Sequence, residues 1–280
     1  MRYVVGFTGT ERARDAVALA TSLAMTQGAK IDLVTVLNPP QDGSVAKGAK
    51  AAEESLKRAQ DELPAGLESE THVRVADSFA EGLLETAQDL NAGLIVIGPT
   101  NAGLLRRFTV GTVATALLHA SSVPVALAPR GYRHRDKLTR LTCAVGGRTG
   151  ADAVLDVAVE AAARRGLPLR LISLVALDAH GTTHPIDTVK TAHEHARTLL
   201  SKAQDQLPQD HESTVTVAHG RSIEQAMDDV DWDPGELVIV GSSRLAQRRQ
   251  LFIGSTANKM LRGLPVPMVV VPRDWQRTER

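Results

Sequence analysis

Leu94-Ile95-Val96-Ile97-Gly98-Pro99-Thr100-Asn101 is followed nine residues later by Gly111-Thr112. Leu237-Val238-Ile239-Val240-Gly241-Ser242-Ser243-Arg244 is followed nine residues later by Gly254-Ser255. Each segment leads to an apolar run bracketed by prolines, Val123-Pro124-Val125-Ala126-Leu127-Ala128-Pro129 and Val266-Pro267-Met268-Val269-Val270-Val271-Pro272. Gly98 to Gly241, Gly111 to Gly254 and Pro129 to Pro272 are all steps of 143 residues. One offset shared by three landmarks marks a duplicated domain. An unbroken Val/Ile/Leu run that stops at glycine reads as a strand buried on both faces.

Working outward, the first copy alternates short apolar strands with helical periodicities. A strand over residues 3–7 precedes Thr10, which is placed to cap a helix carrying Ala13, Val17, Ala20 and Ala24 on one face and stopping near Gly28. A strand over 31–37 ends at Asn38-Pro39-Pro40. Ala52, Leu56, Ala59 and Leu63 mark a second helix, halted by Pro64. A strand over 72–75, a helix over 79–90, the glycine segment, a helix over 112–119 and a strand over 123–128 complete the copy. The second copy repeats the order with strands over 141–145, 169–175, 214–218, 237–240 and 268–271. Its helices fall at 149–163, where Thr149 and Asp152 resemble a capping box, and at 189–207, 223–230 and 255–261. Strands alternating with helices over short connections predict an α/β fold with parallel sheets. The domains are expected over residues 1–130 and 138–273, and the basic segment 130–137 is read as a solvated linker.

The bulk numbers agree. At 280 residues the chain has room for about two domains. Lys+Arg and Asp+Glu both count 32, so charge gives no reason to expect nucleic acid or a membrane surface. Aromatics are 3%, too few for a platform that stacks single-stranded bases. No apolar run approaches the roughly 18 residues of a membrane span. The chain enters the run Met1-Arg2-Tyr3-Val4-Val5 directly, which argues against a secretory leader. Cys143 is the single cysteine, so no internal disulfide is available. It falls in an apolar strand, where an inert buried thiol and a reducing cytoplasm are expected.

With these landmarks the chain resembles a tandem universal stress protein, once per half. The resemblance rests on the strand–Gly-x2-Gly-x9-Gly-Ser/Thr–helix segment and the Pro-flanked last strand, and is closest in Leu251-Phe252-Ile253-Gly254-Ser255-Thr256-Ala257. It implies two doubly wound five-stranded parallel-sheet domains of strand order 3-2-1-4-5, the adenine nucleotide alpha hydrolase-like fold. It also implies a non-enzymatic regulator of the stress response, located in the cytoplasm. Such proteins divide into those that bind ATP and those that do not. Tandem members make within one chain the pairing that others make as homodimers, and a homodimer is also compatible with the resemblance.

In that strand order the crevice beyond the carboxyl ends of the first and fourth strands is where ligands sit. Gly98 and Gly241 would floor it, letting a ligand approach the backbone and accepting positive φ. Gly111-Thr112 and Gly254-Ser255 would present helix amino termini, whose free N–H groups favour phosphate. The plainer alternative makes Gly98 and Gly241 turn residues and Thr112 and Ser255 ordinary helix caps. The candidate ligand-binding residues are therefore Gly98, Asn101, Gly111, Thr112, Gly241, Arg244, Gly254 and Ser255, with ATP or another adenine nucleotide as the implied ligand.

Both copies depart from the nucleotide-binding pattern. The acidic residue expected after the first strand is replaced by Thr8 and Gly146, and the middle glycine by Asn101 and Arg244. Asn101 tolerates a left-handed backbone; Arg244 either strains the turn or offers a guanidinium to phosphate. Arg106, Arg107, Arg248 and Arg249 either clamp a phosphate or lie in solvent. The phosphate end is thus kept better than the base end. A member that binds no nucleotide and works through protein partners, and a weak ATP hydrolase, are the competing readings. His193 and His195 diverge by about 200° on a helix, and His180 and His184 fall in a loop, so no metal site is expected. Ser242 and Ser243 lack a nucleophile elbow, so no catalytic residue is assigned. Trp275, near Arg273 and Arg277, is undecided between packing and a contact.

Overall fold

The structure is a computed structural model that describes residues 1–39, 45–99, 111–133, 138–145, 151–177, 185–242, 251, 253–272 and 275. It divides into two units, Met1–Lys137 and Leu138–Arg280. The first runs β1 (Arg2–Gly6), α1 (Glu11–Met25), β2 (Lys30–Leu37), α2 (Val45–Asp61), β3 (Ser69–Val75), α3 (Phe79–Asp89), β4 (Leu94–Ile97), α4 (Thr112–Ala120) and β5 (Val125–Leu127). The second runs β6 (Arg140–Ala144), α5 (Ala151–Arg165), β7 (Leu169–Ala176), α6 (Pro185–Gln204), β8 (Ser213–Gly220), α7 (Ile223–Asp228), β9 (Glu236–Gly241), α8 (Ser255–Gly263) and β10 (Met268–Val271). Strand order is β3-β2-β1-β4-β5 in the first and β8-β7-β6-β9-β10 in the second. Every pairing described within a unit is parallel. The α/β class and the order 3-2-1-4-5 are as the sequence led us to expect.

The central strands are covered on both faces. Val4 and Val5 point to opposite sides of β1 yet both are fully buried, as are Ile95 and Val96 of β4. Each fully buried Val or Ile contributes about 1.5–3 kcal/mol relative to exposure. Against this sheet α1 lays a small-residue face, Ala13, Ala16, Leu19, Ala20, Leu23 and Ala24, all buried. It ends through left-handed Gly28 (φ 60°), with the Ala29 N–H returning to the Ala24 carbonyl at 3.1 Å. The second unit repeats this ending at Gly166 (φ 61°). Thr10 occupies the N-cap position of α1, but its hydroxyl makes no capping bond. The hydroxyl pairs instead with Thr8 Oγ1 at 3.1 Å, which corrects the expected cap. Real side-chain caps occur at Ser78 on α3 and Ser222 on α7.

The duplication is not uniform along the chain. Ile31 stands opposite Ser69, 38 residues on, whereas Leu169 stands opposite Ser213, 44 residues on. The second copy therefore carries six extra residues between these strands, a stretch that includes the 20-residue α6 against the 17-residue α2.

Each unit buries a charge near the amino ends of its strands. In the first, Asp32 is fully buried; it accepts a bidentate bond from Arg2 and one from His72 Nε2 at 2.9 Å. Glu70 holds Arg2 at 2.7 Å and Lys30 at 2.5 Å. In the second, Glu236 is fully buried and accepts from Arg140, Arg170, the Thr142 hydroxyl and the Asp233 N–H. Arg170 also lies over the Trp232 ring, 5.0 Å from its centroid.

Candidate functional site

The carboxyl ends of β1 and β4 are neighbours, and so are those of β6 and β9, so the strand order opens a crevice there in each unit. Gly98 and Pro99 follow β4 directly and are half-buried. Pro99 has no N–H, so the β4–β5 ladder closes with the Ala128 N–H on the Ile97 carbonyl at 3.0 Å. In the second unit β9 continues through Gly241, which pairs with Val271, and the Ser242 N–H donates to the Val271 carbonyl at 2.8 Å.

Gly241 does not take the positive φ expected of it. It is extended rather than left-handed, and a Cβ there would lie 3.2 Å from Val154 Cβ of α5. Its glycine is explained by helix-on-strand packing.

Helices α4 and α8 start alike. Gly111 (φ −81°, ψ 173°) and Gly254 (φ −75°, ψ 166°) are the N-caps, and as glycines they supply no side-chain capping bond. Thr112 and Ser255 are thus the first helical residues, not the caps of the plainer alternative. Both are exposed. The first intrahelical bonds return from Thr115 and Asn258 to the Gly111 and Gly254 carbonyls, both at 2.9 Å. Helix geometry leaves the preceding N–H groups without intrahelical partners, where the positive end of the dipole adds to them. Buried Ala114, Leu117 and Leu118 anchor α4, and Ala257, Met260 and Leu261 anchor α8.

On the β1 side of the first crevice, Phe7 is fixed by its N–H on Val34 and by Thr35 Oγ1 on its carbonyl, at 2.8 and 2.7 Å. Thr8 then projects into solvent and pairs with Thr10. Gly9 takes φ 70°, and a Cβ would meet Ser55 Oγ at 3.1 Å. This rim is made of neutral hydroxyls. Asn101, Arg244, Arg106, Arg107, Arg248, Arg249, Gly146, Thr149, His180 and His184 lie outside the described residues.

Among the other candidates, Cys143 is fully buried and burial pushes its thiol up to about 12, so it is not a nucleophile at neutral pH. One group went unnoticed in the sequence. Asp32, Glu70 and His72 bring ligand-type atoms within 4.8 Å of one another. Arg2 and Lys30 already hold those carboxylates, so the cluster carries its own cations. The signal was there: an aspartate inside Ile31-Asp32-Leu33, and Glu70 and His72 two apart on the neighbouring strand.

The architecture is that of doubly wound α/β domains in tandem, each with a glycine-started helix at its crevice. The universal stress protein family profile matches residues 1–129 and again 137–272. A universal stress protein of Mycobacterium tuberculosis is 33% identical over 236 residues, spanning 81% of this chain and 79% of its own. Another, from Mycolicibacterium smegmatis, is 26% identical over 291 residues and spans 96% of both. The crystal structure of a universal stress protein from Archaeoglobus fulgidus has the same fold, with a TM-score of 0.71 at 19% identity over 97% of this chain and 98% of that one. The chain belongs to the universal stress protein family, with two such domains in one polypeptide. Among the described residues no helix is long and apolar enough to cross a membrane.

Proposed function

We propose that the protein is a non-catalytic regulator of the cytoplasmic stress response, whose α4 and α8 amino termini hold the phosphate groups of a small ligand such as an adenine nucleotide. One observation carries this reading: both helices begin on a glycine, which has no side chain to cap the first turn, and a hydroxyl residue lies exposed beside it. Each charge–dipole contact there contributes about 0.3–1 kcal/mol, and four of them come to about 4 kcal/mol at most, which is millimolar affinity. The neutral Thr8–Thr10 rim supplies no carboxylate for a base.

Calorimetric titration with ATP, ADP and cyclic AMP tests the reading. An acid at the first helical position suits the helix but repels phosphate. Thr112→Asp or Ser255→Asp should therefore weaken binding about tenfold or more at whichever unit carries it, with the melting temperature kept. No heat at millimolar ligand would sink the proposal.

Gly241 supports a second reading for the second unit. Its glycine is accounted for by Val154, so that unit keeps its sequence pattern for packing and works through a protein partner. Titration with unchanged affinity in Ser255→Asp and lost affinity in Thr112→Asp would place all binding in the first unit.

A further inference from the structure

Two homologous halves in one chain create an ambiguity during folding, because a strand of one copy fits the ladder of the other. The backbone does not resolve it. Tyr3 faces Ile31 in the first unit as Leu141 faces Leu169 in the second, in the same parallel register. Discrimination has to come from buried side chains. Arg2 and Arg140 open β1 and β6 at equivalent places. One step further, Val4 faces Asp32, while Thr142 faces Arg170.

We propose that Asp32, Arg170 and Glu236 key β2 and β7 each to its own unit and exclude exchange between the halves. With β2 in the place of β7, the Asp32 carboxylate would enter the seat of the Arg170 guanidinium beside Glu236. Two carboxylates would then share a buried site with Arg140 as the cation. With β7 in the place of β2, Arg170 would meet Arg2. Glu236 faces Arg140 in register, and its counterpart in the first unit is Gly93, whose N–H bonds the Arg2 carbonyl at 2.9 Å, so no buried acid would be present. Lys30 would leave with β2, and half-exposed Glu70 would be left to serve two guanidinia. His72 would add a further donor to the same spot. The first exchange buries two acids beside one base and the second buries guanidinia with no buried acid, whereas each native cluster matches its buried charge with an opposite one.

The full chain tests this by dilution from urea at rising protein concentration, with monomer recovery read by size-exclusion chromatography. Arg170→Met with Glu236→Leu replaces the second unit's buried pair by apolar side chains, a change that leaves folded proteins stable. It frees the seat beside Arg140 for Asp32. Monomer recovery should fall about threefold or more at micromolar concentrations, while recovered monomer stays folded, with a melting temperature lowered by the loss of the acid beside Arg140. Asp32→Arg with Arg170→Asp exchanges the two keys, and should recover mainly as folded, strand-exchanged oligomers with native circular dichroism. Wild-type recovery of monomer by the apolar variant overturns the proposal. So does an exchanged variant that yields only unfolded aggregate.

Discussion

Asp32 and Arg170 hold the same register position in the two units, opposite Val4 and Thr142, with opposite charge. Each is compensated differently. Asp32 is an acid between two bases, Arg2 and His72, and Arg170 is one of two bases around the acid Glu236.

Removing the acid from either cluster strands a base. Arg2 is 29% exposed and swings toward water, whereas Arg170 is 7% exposed and has no such escape. Asp32→Asn should therefore cost about 2–3 kcal/mol and Glu236→Gln about 3–5 kcal/mol, measured from urea midpoints. Equal costs would show that exposure of the stranded base does not matter here.

The acid branch of the stability profile should carry the signature of Asp32. Burial raises its carboxyl, but hydrogen bonds from His72 and Arg2 outweigh burial and hold it below the usual value. A carboxyl depressed in the folded state stabilises above the unfolded value, and that contribution disappears as pH falls through the folded value. Urea midpoints should drop below about pH 4, and Asp32→Asn should flatten that drop.

Asp15 should behave with the opposite sign. It is 3% exposed on α1 and accepts the Gly131 N–H at 3.0 Å, with Arg133 at 3.4 Å. Burial raises its carboxyl, and Gly131 and Arg133 only partly offset this. The folded state therefore binds the Asp15 proton more tightly, and its contribution grows as pH falls through the raised value. At neutral pH Asp15→Asn, which keeps an acceptor for Gly131, should lie within about 0.5 kcal/mol of the parent or above it. Asp15→Ala should lose about 1–2 kcal/mol. Thermal melts of the two variants at pH 7 separate them.

Gly241→Ala should destabilise the second unit by about 1–3 kcal/mol through overpacking against Val154. Val154→Ala should restore much of the loss in a double-mutant cycle. Additive costs would mean that the two positions do not meet.

The fold was legible because its strongest signals are local. The runs Leu94 to Ile97 and Leu237 to Val240 are too apolar to be anything but buried strands, and Gly111 and Gly254 start helices wherever they are met. Whether glycine or hydroxyl caps these helices stays open in the sequence, because a glycine N-cap carries no side chain to betray it. Thr10 was misjudged because its hydroxyl had a second partner, Thr8, two residues back. The buried charges were legible only as polar residues inside apolar strands, such as Asp32, and their partners were not. Asp32 and Arg2 are thirty residues apart, and Glu236 and Arg140 ninety-six, so only strand register brings them together. Of the proposed phosphate site, both helix starts were legible, whereas the contact of Gly241 with Val154, eighty-seven residues earlier, was not.

Pro99 and Ser242 give the two halves different mechanical freedom. To re-route the segment after β9, the second unit must break the Ser242–Val271 hydrogen bond, at about 1 kcal/mol. The first unit has no such bond to break, because Pro99 offers no hydrogen. A duplicated pair can thus differ by one missing proton, the ladder of one copy running a hydrogen bond further than that of the other.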